Sequence, residues 1–446
     1  MDLQPAQQRR MGPILLSPGV TPREVIIFLI VLALMGVMVS FSLKMQPYIL
    51  TEILNVPRER QGSLAGSLAA LQQGMVLLFV WIAGWAADRY GRKAMLLFAT
   101  FGFTLTSVLY PLAGTIVALF VVRAMFGIAQ TGHTAGGPTK MFDYPDNASR
   151  GKFMALVMIS LNAATLILVG WLAPKVPGWF RDAGYSAADT GRYSMWLIAA
   201  VGVFTFLLCL FGTQNDRKPQ STAALLPGSA KLKAFFAGFG EVFRYAMDHP
   251  GFALLLITGF VIRTDTTVIQ VFLAQWVVTA GSFQGLSTVE ATQRAFQFQI
   301  PLSLSSFLIP LVFGPLLDRS NRLVLYCFSM AFAGVALMST GLITDVTTWH
   351  IFLVVTIIGL AEAAQTITQQ ALFGQEAPAH LRGTAYGVFA FTGTFSVVII
   401  SQISGQLFDK VGYTAPFIMA GSLHLLFLGF ALLFIRRQIL LKRKAG

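Results

Sequence analysis

Three stretches of this chain set ionisable and hydrogen-bonding side chains inside runs that are otherwise apolar. One carries Arg123, Gln130 and His133, the second Arg263, Asp265 and Gln270, and the third Glu362, Gln365 and Gln369. Arginine holds a carboxylate or phosphate through two parallel N–H donors. A carboxylate in an apolar run takes or gives a proton according to its burial and the cations near it. Anion capture and proton exchange are therefore the chemistry that these residue types offer. Helical spacings of three, four and seven put Arg123 with Gln130, Arg263 with Thr267 and Gln270, and Glu362 with Gln365 and Gln369, each group on one face. Arg263 and Asp265 are two residues apart, roughly 200° around a helix, and cannot share a face. Arg263 goes with its polar stripe toward water. Asp265 goes with Ile262, Ile269 and Phe272 toward a neighbouring helix.

Bond-making chemistry has less support. His133, His249, His350, His380 and His424 are scattered without metal-ligand spacing, and Cys209 and Cys327 lie in separate apolar runs. No G-x-x-x-x-G-K-[ST] phosphate loop is present. The expectation is no enzyme, no catalytic residue, no metal and no cofactor.

The elements that position these residues follow from composition. Of 446 residues, 55% are hydrophobic and only 11% charged, where a soluble fold spends about a quarter on charge. Apolar runs long enough for the hydrocarbon core of a bilayer lie near 24–46, 62–86, 94–113, 116–140, 152–174, 193–213, 251–279, 294–317, 323–343, 348–374, 384–407 and 414–435. Twelve transmembrane helices are expected, because only helices satisfy the backbone of such segments in lipid. Thr21-Pro22-Arg23-Glu24 reads as a capping box with proline at the first helical position. The first run is long and stands behind a polar arm, unlike a cleaved signal peptide.

With the N-terminus inside, Lys and Arg crowd the inner loops, and the outer ones hold only Arg58, Arg60, Lys175, Arg181, Arg192, Arg294 and Lys410. Both termini are thus expected in the cytoplasm, with the protein in a bacterial inner membrane. The net charge of +13 is assigned to this asymmetry and to anionic lipid, with no nucleic-acid partner. Lys44, near the outer end of the first span, is expected to snorkel to the interface. The longest polar break divides the chain into 1–213, a linker at 214–250, and 251–446. Within the linker, Ala230 to Ala246 has apolar residues at helical spacing with basic residues between them, as in a helix lying on the membrane face. The loop 175–192 is too short to be a domain.

The two sets of six spans carry an internal repeat. Gly84-Trp-Ala-Ala-Asp88-Arg89-Tyr-Gly91-Arg92-Lys93 follows the second span, and Gly314-Pro-Leu-Leu-Asp318-Arg319-Ser-Asn-Arg322 follows the eighth. Asp143-Tyr-Pro145 with Arg150-Gly151 after span four is matched by Glu376-Ala-Pro378 with Arg382-Gly383 after span ten. Matches on the same side imply two parallel six-helix halves. Gly84 and Gly91 permit a tight turn and close helix approach, and Asp88 suits the amino end of a helix.

From residue 24 to 437 the chain resembles the major facilitator superfamily of secondary transporters. The resemblance rests on the G-x-x-x-D-R-x-G-R-K loop at 84–93 and, less specifically, on Arg123-Ala-Met-Phe-Gly127. It implies that spans 1, 4, 7 and 10 line a central cavity. Arg123, Gln130, His133, Arg263, Gln270, Gln365 and Gln369 would then face substrate, and Glu362, with Arg263 as its electrostatic partner, or else Asp265, would carry a coupled proton. His133 is as well placed to satisfy a neighbouring helix, and a structural Glu362–Arg263 pair is the plain alternative. The resemblance also implies a cytoplasmic gate of Gly84, Asp88, Arg89, Gly91, Arg92, Asp318, Arg319 and Arg322. In it, Asp88 meets span eleven near Gly383, and Asp318 meets span five near Gly151. Ser320-Asn321 replaces the expected glycine in the second copy, which predicts a lopsided gate.

The expected substrate is a small organic anion or an amphiphile with an acidic head, moved by a monomer with protons as co-substrate and lipid as surroundings. The drug/proton antiporters, also similar in loops and span-four arginine, are the alternative. Against them, span five lacks their G-x-x-x-G-P-x-x-G-G pattern. A membrane-embedded enzyme or a transport-dead sensor is the reading from another class.

Overall fold

Backbone amides in hydrocarbon have only one another as partners, and the apolar runs fold accordingly. The computed structural model describes residues 9–213, 239–378 and 382–445. A short hairpin, β1 (Arg10–Met11) and β2 (Ile14–Leu15), precedes α1 (Pro22–Glu52), α2 (Gln61–Tyr90), α3 (Arg92–Leu109), α4 (Ile116–Asp143) and α5 (Arg150–Ala164). The last widens to π geometry over Thr165–Leu172. Next come α6 (Lys175–Asp182), α7 (Ala187–Gly212) and α8 (239–248). The remainder is α9 (Pro250–Phe283), α10 (Thr288–Gln297), α11 (Gln299–Arg319), α12 (Arg322–Met338), α13 (His350–Glu376), α14 (Arg382–Lys410) and α15 (Ala415–Ala445). Among the described residues eleven helices are long and apolar enough to cross a membrane, and Ala415–Phe430 of α15 is a shorter apolar stretch. Every expected span falls on one of these helices.

The local signals behind these boundaries are visible in the side chains. Thr21 accepts from the Glu24 amide at 3.3 Å while the Glu24 carboxylate accepts from the Thr21 amide at 2.9 Å, closing the capping box expected at α1. The hairpin before it docks on the α4–α5 loop: Ser17 N donates to Tyr144 O, Asp146 N to Leu15 O, and Leu15 N to Ser149 Oγ. Leu16 is completely buried there.

Two compact units divide the chain. The first takes in the described residues up to Asn55 and from Gly74 to Thr213, and the second Val56–Gln73 with everything described after the linker. Inside the first, α1 packs on α5 and α7, and α3 on α4 and α7; inside the second, α9 packs on α14 and α15, and α12 on α13 and α15. The second set of pairs is the first displaced by six spans, which is the internal repeat seen in three dimensions. Small residues allow the close crossings. A Cβ on Gly132 or Gly136 of α4 would stand 2.7 and 2.9 Å from the Met95 and Arg92 carbonyl oxygens of α3.

In the second unit Val242 and Ala246 of α8 are buried in a core with Phe252, Leu254, Tyr326 and Met330. The basic part of the expected linker helix, with Lys231 and Lys233, lies outside the described residues. Lys44 also departs from expectation. It is buried within α1, because the helix continues to Glu52 and every residue from Phe41 to Leu50 is buried.

Candidate functional site

One turn of α9 in the second unit bonds to three other helices. Arg263 Nη1 donates to Thr394 Oγ1 of α14 at 3.3 Å, and its aliphatic stem lies across Gly393, where a Cβ would come within 2.9 Å of Arg263 Cδ. Thr264 Oγ1 meets Ser396 Oγ of α14 at 3.2 Å. Asp265 Oδ2 lies 2.5 Å from His424 Nε2 of α15. Thr266 donates to Glu362 Oε1 of α13 at 2.9 Å. Successive residues point about 100° apart on a helix, so each of the four finds its own partner. Arg263 is exposed and Asp265 is buried, as the face argument requires.

Around Asp265 the side chains are enclosed. Asp265 and His424 are 2% and 0% exposed, and Asp265 Oδ1 has no hydrogen-bond partner. Gln365 of α13, buried as well, brings Nε2 to 3.5 Å from His424 Nδ1. The expected stripe on α13 therefore splits. Glu362 turns to Thr266, Gln365 turns inward to His424, and Gln369 stays half-buried. Gln270 is exposed on α9. No ion pair joins Arg263 to Glu362 among the described residues: Arg263 is drawn to α14, and the Thr266 hydroxyl occupies the carboxylate instead. His424 was the residue that sequence reasoning passed over. Its signal was an imidazole alone in an apolar span, which costs free energy unless it is paired.

The first unit has a different centre. Arg123 is 1% exposed, and its Nε and Nη2 have no hydrogen-bond partner. Its guanidinium carbon lies 5.4 Å from the Phe126 ring centroid and 5.9 Å from that of Tyr110, whose hydroxyl donates to Gln46 of α1 at 3.2 Å. Aromatic faces stabilise a cation but accept no conventional hydrogen bonds, so two strong donors are left without acceptors. Gln130 and His133 are half-buried about two and about three turns further along α4.

The loop after α2 makes the tight turn expected of it. Gly91 has φ +92°, open to glycine at little cost. At Gly84, by contrast, a Cβ would meet nothing within 4 Å among the described residues, which bring no helix close there. Arg92 pairs with Asp143, and Arg89 lies over the Trp85 and Tyr90 rings. In the second copy Asn321 replaces the glycine and caps α12 by accepting from the amides of Leu323 and Val324. Arg322 forms no ion pair among the described residues, and Asp88, Asp318 and Arg319 are exposed. Residues 379–381, beside the expected contact of Asp88 near Gly383, lie outside the described residues.

A carboxylate does cap a helix elsewhere. Asp409, at the end of α14, accepts from Gly62 N at 2.8 Å and Ser63 N at 2.7 Å at the start of α2, within the second unit. Beside it Gln275 of α9 donates to Gln61 at 2.8 Å.

The family model described as Major Facilitator Superfamily matches residues 25–401 and 302–445. The magnetosome protein MamH of Paramagnetospirillum magneticum (strain AMB-1) is 22% identical over 417 residues, 91% of each chain. The magnetosome protein MamZ of Magnetospirillum gryphiswaldense is 20% identical over 424 residues, 91% of this chain but 62% of that longer protein. Among solved structures, a POT family transporter in complex with 5-aminolevulinic acid superposes with a TM-score of 0.67 at 14% identity, covering 94% of this chain and 97% of that one. At that identity the likeness carries the fold and nothing of the ligand. The chain belongs to the Major Facilitator Superfamily, and it is a multi-pass membrane transporter.

Proposed function

We propose that this member of the Major Facilitator Superfamily moves a small organic solute with an acidic group, or an amphiphile with an acidic head, by alternating access. Proton exchange at the carboxylates of α9 and α13 drives it. The observation that carries the substrate class is Arg123, a fully buried guanidinium whose Nε and Nη2 lack acceptors. Leaving buried charged donors unpaired costs at least about 1–3 kcal/mol. A carboxylate or phosphate oxygen of the solute removes that cost and discharges the buried cation. The solute is thereby bound through a group that a neutral analogue lacks. Arg263, the exposed cation of the second unit, is a further anion-binding group, and Gln130, His133, Gln270 and Gln369 are the polar side chains available for the rest of the solute. Glu362 holds the proton-exchanging position on α13. The protein works as a monomer in a bacterial inner membrane, and its basic loops support an orientation with both termini in the cytoplasm.

The test is a thermal-shift panel on purified protein with mono- and dicarboxylates, phosphate esters and cationic lipophilic amines. Acidic compounds are expected to stabilise the wild type and to lose that effect in Arg123→Gln. Acidic ligands that stabilise Arg123→Gln equally would sink the substrate class, and a response to cationic amines alone would favour drug/proton antiport. The best acidic ligand then goes into proteoliposomes. Gradient-driven accumulation by wild type, abolished in Glu362→Gln while exchange persists, is the expected outcome for coupling.

A further inference from the structure

We infer that Asp265, His424 and Gln365 form a proton store set behind the solute-facing residues of the second unit, in which one proton is held by the Asp–His pair and Gln365 adjusts to it. This rests on the proton coupling proposed above and deepens it. It adds a residue of α15, a helix that contributes nothing to the three polar stripes of the sequence.

The geometry supports storage more than simple bracing. A carboxylate beside a neutral imidazole leaves one net negative charge buried in the protein, which is costly. Adding one proton gives an imidazolium against a carboxylate, or a neutral imidazole against a carboxylic acid, and either pair is electrically neutral. Asp265 Oδ2 and His424 Nε2 stand 2.5 Å apart, an ion-pair separation close enough for either form, while Nε2 makes no aligned hydrogen bond. The other ring nitrogen decides what Gln365 must do. An unprotonated Nδ1 accepts from the amide Nε2, and a protonated Nδ1 donates to the amide Oε1, so a half-turn of the Gln365 amide serves both states. Oδ1 of Asp265 has no partner and remains open to a second donor.

The pair is also connected. Gln365 stands three residues from Glu362 on α13, and Asp265 is the chain neighbour of Thr266, which donates to Glu362. A charge change at the pair is thus felt at Glu362 through two short links. Few other ionisable groups share this level among the described residues. Arg263 points to α14, α12 offers Tyr326 and Cys327, and α14 has no ionisable side chain between Tyr386 and Asp409. Tyr326 is engaged with Thr258 at 2.5 Å. Glu290 and Arg294 belong to α10, beyond the far end of α9.

The experiment is ring-nitrogen NMR of histidine-labelled full-length protein in lipid nanodiscs, with His424 assigned by the signal lost in His424→Gln. In wild type, uptake of one proton by the pair is expected to appear as a single change in the His424 ring-nitrogen signals across the pH range over which the protein stays folded. Asp265→Asn should move that step by about one pH unit or more, and Gln365→Leu should move it less while leaving the fold intact by size exclusion. A His424 that keeps one tautomer and charge throughout, or that titrates identically in wild type and Asp265→Asn, overturns the inference. No solute or gradient enters this measurement, so its failure is distinct from that of the transport reading. Gradient-driven flux with a silent His424 removes the store and keeps the transporter. A titrating His424 without gradient-driven flux keeps the store and removes the coupling.

Discussion

The two units bury opposite problems. The first holds a cation, Arg123, among aromatic rings and gives Nε and Nη2 no acceptor. The second holds an anion, Asp265, and gives it His424 at 2.5 Å. The repeat makes the contrast informative, since the same helix pairs pack in both units. The same pairings surround different charged side chains at the two centres, and in the function proposed above each centre has its own task. A charge paired inside the protein is a stable element whose proton can come and go. A charge left unpaired suits a partner that arrives from outside.

The largest expected effect breaks the paired side. His424→Leu strands the Asp265 carboxylate and is expected to cost about 3–5 kcal/mol. Adding Asp265→Leu should recover most of it, because an apolar pair of similar volume is close to neutral. Unfolding in mild detergent reads both, and additive losses in the double variant would show that the pair is not a unit. The unsatisfied side should respond with the opposite sign. Arg123→Met is expected to stabilise the ligand-free protein by about 1–3 kcal/mol while abolishing acidic-ligand shifts. A lower melting temperature without ligand would mean that the ring contacts outweigh the missing acceptors.

A smaller effect sharpens the comparison at helix ends. Asp409→Asn removes a charge from two amides at the start of α2 and should cost about 1–2 kcal/mol, whereas Asp88→Asn, at an exposed carboxylate, should change stability by less than about 0.5 kcal/mol. Equal losses would show that Asp88 has a partner of similar strength. Smallest of all is Arg263→Lys, expected within about 0.5 kcal/mol of wild type in stability, since the side chain is exposed and its bond to Thr394 is a long 3.3 Å. A loss comparable with that at Asp409 would place Arg263 among the structural charges.

The membrane helices were legible because hydrocarbon imposes one rule on every segment: length and apolarity force a helix wherever the run is long enough. The repeat, the α1 cap and the turn at Gly91 were legible for the same local reason. Helical angles alone also separated Arg263 from Asp265. Partner choice was not local. Asp265 could be assigned to a neighbouring helix, but nothing in the chain says that α15 is that helix or that His424 is at its level. Gln365 shares a stripe with Glu362 in sequence and leaves it in the fold, because Thr266 of α9 engages Glu362 while Gln365 meets His424 of α15. The helix-capping carboxylate Asp409, on the amino end of α2, was not singled out in the sequence, since any acidic residue near a span end fits that rule. Sequence determined which segments enter the membrane and which charges they carry there. Only tertiary packing decided which of those charges are paired, because pairing depends on the registers of helices far apart in the chain.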